Sequence, residues 1–120
     1  MKKKIICFDL DNTLCVTKSN NYKKSKPIQK NIKIVNSLFE KGYFIKIFTA
    51  RFMGRNNDDL VLAKKSGYKF TIEQLKKWKL RYHKLIFGKP AYDILIDDRA
   101  LGFKKNWHLD LKIKLNKIIK

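Results

Sequence analysis

Acidic side chains are scarce. Ten Asp plus Glu stand against 29 Lys plus Arg, a formal net charge of +19 at pH 7. That excludes an acidic, solvating chain and invites a polyanionic partner. Arginine is scarcer still: Arg51, Arg55, Arg81 and Arg99 are the only ones, so lysine supplies the rest. Specific nucleic-acid binders use Arg for bidentate base and phosphate contacts. Lys, Ile and Asn dominate the chain together and all have AT-rich codons. Codon composition and solubility therefore account for the basicity ahead of nucleic-acid binding, which stays as the lesser reading. Two cysteines, Cys7 and Cys15, give no disulfide framework. No apolar run approaches the length of a membrane span, so no membrane role is expected. Ile5-Ile6-Cys7-Phe8 runs into Asp9 and is too short for a signal peptide. A cytoplasmic protein with reduced thiols is the expectation. The 120 residues suit a single domain, 1–120, and 44% hydrophobic residues with 12% aromatics exclude a disordered chain.

The pattern alternates short apolar runs with helical periods. Strands are expected at Lys4 to Phe8, Tyr43 to Phe48, Leu85 to Phe87 and Ile94 to Ile96, with a short one at Tyr68 to Phe70. Ile28 to Lys41 has helical spacing, with Gly42 as its cap. A helix starts at Asp58 and Asp59 and ends at Gly67. A second opens at a Thr71-Ile72-Glu73-Gln74 capping box and runs through Trp78 to Tyr82. Leu109 to Ile119 is the last helix. Such alternation predicts an α/β fold, a three-layer Rossmann-like parallel sheet with helices on both faces.

In parallel sheets, ligands sit beyond the carboxyl ends of the strands. Three strands here end in polar groups: Asp9 and Asp11, Thr49 and Arg51, Asp97 and Asp98. Lys89 leaves another strand toward the same edge. Two acidic pairs side by side repel unless a cation compensates, and Mg²⁺ takes one or two carboxylates plus phosphate oxygens and water. One carboxylate of the Asp-x-Asp pair can attack phosphorus while Lys and the metal neutralise the phosphoryl oxygens. The other can give a proton to the leaving oxygen and then activate water.

Ile5-Ile6-Cys7-Phe8-Asp9-Leu10-Asp11-Asn12-Thr13 resembles the first motif of the haloacid dehalogenase-like (HAD) phosphatase superfamily. Phe48-Thr49-Ala50-Arg51 is similar to the second, Gly88-Lys89-Pro90 to the third, and Ile96-Asp97-Asp98 to the fourth. All four occur in order. The resemblance implies Asp9 as nucleophile, Asp11 as general acid/base, and Thr49 and Lys89 on the phosphoryl group. It implies Mg²⁺ on the carboxylates of Asp9 and Asp97 and the carbonyl of Asp11, with Asp98 in support. Arg51 and Asn12 are candidate substrate contacts. The spacing leaves no room for an inserted cap domain, which implies a HAD-like core with an open site. The Lys-Pro and Asp-Asp-Arg context most resembles small phosphatases of capsule or surface-polysaccharide biosynthesis. The implied substrate is a small sugar phosphate, with a phosphorylated nucleic-acid end as the alternative. A non-catalytic basic binding module is the alternative outside enzymes.

Other features have plainer readings. Arg51 can pair with Asp58 or Asp59, and Arg99 can neutralise the Asp97-Asp98 pair. Cys15 is expected to pack, and neither His83 nor His108 stands at ligand spacing. The Lys18 to Lys26 stretch reads as a solvated loop or a flap. Tyr43, Trp78, Tyr82, Trp107 and Ile118-Ile119 exceed the needs of so small a core. They suggest a homo-oligomer with its interface near that loop or the last helix.

Overall fold

A computed structural model describes residues 4–119, and side chains up to residue 116. The Met1-Lys2-Lys3 start and the Ile118-Ile119 side chains lie outside the described residues. The elements are β1 (Ile5–Asp9), β2 (Cys15–Val16), β3 (Lys26–Pro27), α1 (Gln29–Glu40), β4 (Phe44–Thr49), α2 (Leu60–Lys77), β5 (Lys84–Phe87) and α3 (Trp107–Ile119). The fold is α/β. β1, β4 and β5 form a parallel sheet in that order, while β2 and β3 pair antiparallel as a small flap.

Strand register explains the core. Phe8 pairs with Ile47 and Ile47 with Leu85, so these three share one face, as do Thr49 and Phe87 one pair further on. All five are buried. The opposite face carries Cys7, Lys46 and Lys84 and is exposed or half-buried. Deep burial is therefore one-sided, where coverage of both faces was expected. That face also carries Ile5, Phe44, Phe48 and Ile86, apolar side chains left exposed or half-buried beside Cys7 and the two lysines.

α1 packs on β4 through Ile32, Val35 and Leu38, spaced one turn apart. It stops because Gly42 adopts φ 94°. The Gly42 N–H donates to the Phe39 carbonyl and the Tyr43 N–H to the Leu38 carbonyl, the paired bonds of a glycine-terminated helix. Trp107 of α3 packs edge-on against Phe8, ring centroids 5.7 Å apart, and its indole N–H donates to Asn31 Oδ1 at 3.2 Å.

One 18-residue helix, α2, replaces the two helices and the strand expected between Asp58 and Tyr82. Gly67 does not end it. A Cβ there would lie 1.9 Å from the Phe52 ring, so glycine makes room for a packed aromatic. Thr71 does not cap it either: it is fully buried, and its hydroxyl accepts from Arg51. Asp59 is the true cap, its side chain accepting the Leu62 N–H. Tyr43 and Trp107 are buried, and Trp78 and Tyr82 pack against the core. These aromatics serve the chain's own interior, which removes their support for an oligomer interface.

The stretch Ile94 to Ile96 forms no strand. Ile94 is 81% and Ile96 94% exposed. Three apolar residues carry no period that separates strand from coil, and a strand exists only through pairing. This stretch pairs with nothing among the described residues.

Candidate active site

β1 and β4 deliver their last residues to one sheet edge, and β5 sends its chain there through Gly88 (φ 107°). A cleft of about 420 Å³ opens beyond it, lined by Asp9, Asp11, Tyr22, Arg55, Lys89 and Tyr92 among others. That size suits a small-molecule site. Lys89 Nζ lies 3.3 Å from Asp9 Oδ1. Burial works against the Lys89 charge, but the Tyr92 hydroxyl and the Asp9 carboxylate outweigh it and raise its pKa. The ammonium therefore stays charged beside the Asp9 carboxylate.

Asp11 is held differently. The Arg51 guanidinium grips its carboxylate in a bidentate pair, Nε to Oδ2 at 2.9 Å and Nη2 to Oδ1 at 2.9 Å. Arg51 is only 1% exposed. Its remaining Nη1 donates to Gln74 Oε1 at 2.6 Å, and Gln74 donates onward to the Tyr22 carbonyl at 2.8 Å. The Thr17 hydroxyl donates to Asp11 Oδ1 at 2.5 Å, so Ser25 is the donor in its 2.6 Å contact with Thr17. The flap is thereby tied to the acid. It is an anchored flap with Tyr22 and Thr17 buried, and its lysines Lys18, Lys23, Lys24 and Lys26 stay exposed. Burial pushes the Cys15 thiol up to about 11; it is wedged beside Asp11 and Thr17 and serves packing.

Thr49 is fully buried and does not line the cleft. Its hydroxyl accepts the Arg51 N–H at 3.1 Å and so sets the turn that carries Arg51. Asn12 lies outside the cleft lining and accepts the Thr17 N–H at 3.1 Å. Arg51 pairs with Asp11, and with neither Asp58 nor Asp59, the acidic partners that the sequence offered beside a substrate contact. Asp58 instead accepts the Ala91 N–H at 3.2 Å.

The acidic pair Asp97-Asp98 is exposed and absent from the cleft. Asp97 Oδ1 accepts the Arg99 N–H at 2.8 Å, closing a turn. The expected set of four carboxylates is thus half assembled, because the segment carrying the second pair makes no strand. Among the described residues no three His, Cys, Asp or Glu side chains gather as a metal site. The donors that do meet, Asp9 and Asp11, are hard oxygens of the kind Mg²⁺ takes when a substrate phosphate completes its shell. His83 is no ligand: its Nδ1 accepts the Ile45 N–H at 2.9 Å, and its ring stacks on Phe39 and Phe44.

Sequence reasoning missed Thr17, Tyr22, Ser25, Arg55, Thr71 and Gln74. The only signal was the position of Arg51 and Arg55 just past a strand end, where basic groups reach the ligand edge.

Over 98% of its length the chain resembles a crystal structure of a structural-genomics target from Vibrio cholerae, at TM-score 0.82 and 25% identity, covering 99% of that chain. No family model and no curated protein matches the chain. Among the described residues no helix is long and apolar enough to cross a membrane.

Proposed function

We propose that this protein is a Mg²⁺-dependent phosphomonoester hydrolase of the HAD type, working through an aspartyl phosphate on Asp9 and acting on a small sugar phosphate. The observation that carries this reading is the pairing of Asp9 with Lys89 in a cleft that also holds Asp11, two residues on. An Asp9 oxygen attacks phosphorus and the bond to the leaving oxygen breaks. Lys89 stabilises the charge gathering on the phosphoryl oxygens. For the first step Asp11 must leave the Arg51 pair and pick up a proton, which it then gives to the leaving oxygen. Asp11 then takes a proton from the water that attacks phosphorus, which frees phosphate and restores Asp9. Arg51 holds Asp11 as a hydrogen-bond acceptor, the form the second step uses.

Mg²⁺ would be held by Asp9 and the Asp11 carbonyl in the cleft; Asp97 and Asp98, the further ligands that the four motifs imply, stand outside it. When bound it would supply charge neutralisation at the transferred phosphoryl group. Thr49 supports the site from behind, through the turn that places Arg51.

The test is phosphate release from a panel of sugar phosphates and p-nitrophenyl phosphate, with and without Mg²⁺. Asp9→Asn should retain no more than a few per cent of wild-type turnover, because an amide cannot attack phosphorus. Comparable turnover in the variant would refute Asp9 as nucleophile. Activity confined to phosphate-ended oligonucleotides, falling steeply with salt, would move the substrate class to nucleic acid.

A further inference from the structure

Three cations line the cleft: Arg51, Lys89 and Arg55. Two of them face carboxylates, Arg51 on Asp11 and Lys89 on Asp9. Arg55 has no ion pair among the described residues. It is nevertheless held in place. Its guanidinium lies 5.2 Å from the Tyr22 ring centroid and 4.8 Å from that of Phe52, and Nη2 donates to the Asn20 carbonyl at 3.0 Å. The local sequence builds this seat. Phe52 takes φ 65°, a conformation costly for an aromatic residue, and its ring fits against Gly67, where any Cβ would collide. The turn thus presents Arg55 on an aromatic platform, with donors of its five-fold fork still open. Fixing the cation beforehand lowers the ordering cost of binding an anion. The cleft is also larger than one phosphate group requires.

We propose that Arg55 is a second anion-binding position, so that the substrate is a phosphate ester bearing another anionic group, phosphate or carboxylate, away from the scissile phosphate. The inference rests on the hydrolase reading for which anion reacts: that one sits at Asp9 and Lys89, and the second group meets Arg55. A role confined to tying the flap through Asn20 would need one hydrogen bond and no charge in the cleft.

The test uses phosphonates, which are not hydrolysed. Calorimetry would compare α,ω-alkane bisphosphonates and ω-carboxyalkyl phosphonates of increasing chain length with simple alkyl phosphonates. The wild type should bind the doubly anionic probes about 10- to 100-fold tighter at an optimal length. Arg55→Ala should remove that advantage, and Arg55→Lys should restore part of it. Lys65→Ala, which removes an equal charge from α2 outside the cleft, should leave it intact. The bisphosphonate and carboxylate arms identify which second anion is preferred. Equal binding of both probe classes by the wild type would overturn the proposal. So would an advantage that survives Arg55→Ala, or one lost equally in Lys65→Ala. A loss shared equally by singly and doubly anionic probes would reduce Arg55 to a structural tie and also overturn it. Because no probe turns over, absence of phosphatase activity would sink the hydrolase reading alone.

Discussion

Two stretches of this chain share a pattern and differ in fate. Ile5-Ile6-Cys7-Phe8 runs into Asp9, and Ile94-Leu95-Ile96 runs into Asp97. The first pairs along all five residues of β1 with β4, buries Phe8 and sets Asp9 in the cleft. The second pairs with nothing among the described residues and leaves its apolar side chains in water. An apolar run followed by a carboxylate is therefore half of a site. The other half is a strand beside it, because pairing aims the carboxylate at a shared edge.

The most severe way to probe this contrast is truncation in each stretch. Phe8→Ala should cost about 3–5 kcal/mol in urea unfolding, by cavity formation in the core. Ile96→Ala should stay within about 0.5 kcal/mol, as for an exposed site. A comparable loss at Ile96 would mean that the second stretch is buried in solution. The same contrast holds for charges. Arg51→Met leaves the Asp11 carboxylate without its buried partner and should cost about 3–5 kcal/mol. Arg81→Met, at the exposed pair with Glu40, should cost about 0.2–1 kcal/mol.

A third experiment sharpens the comparison at the acidic pair. Under the proposed metal set, millimolar Mg²⁺ should raise the melting temperature and chelator should reverse the rise. Because Asp97 stands outside the cleft, the rise should persist in Asp97→Asn. A diminished rise would show that the Asp97 turn joins Asp9 and Asp11 on the cation in solution. The smallest effect concerns Cys15. Its thiol keeps its proton to about 11 when folded, against 9.0 for an unperturbed thiol. Between those values the unfolded chain releases a proton that the folded chain retains, so stability falls as pH rises. Wild-type stability should decline more steeply from pH 9 to 11 than that of Cys15→Ala. Parallel curves would contradict the buried placement.

How much was legible follows from the physics of each signal. β1, α1, β4 and β5 were readable because each carries a clear apolar period or a glycine stop such as Gly42. α2 was misread at Gly67 and Thr71. Glycine ordinarily ends a helix and threonine ordinarily caps the start of one, and here the first accommodates Phe52 while the second receives Arg51. Asp9, Asp11 and Lys89 were legible as strand-end groups. The Arg51–Asp11 pair was not, since it spans 40 residues and leaves no local periodicity. Arg55 was hidden for the same reason: its seat joins the flap to the turn after β4.

The account stands or falls on Asp9 as the group that takes phosphate. Wild-type protein incubated with Mg²⁺ and p-nitrophenyl phosphate, quenched in acid and mapped by mass spectrometry, should carry a hydroxylamine-labile phosphoryl group on Asp9, and Asp9→Asn should carry none. Steady phosphate release with no such adduct, or an adduct that persists in Asp9→Asn, would contradict it.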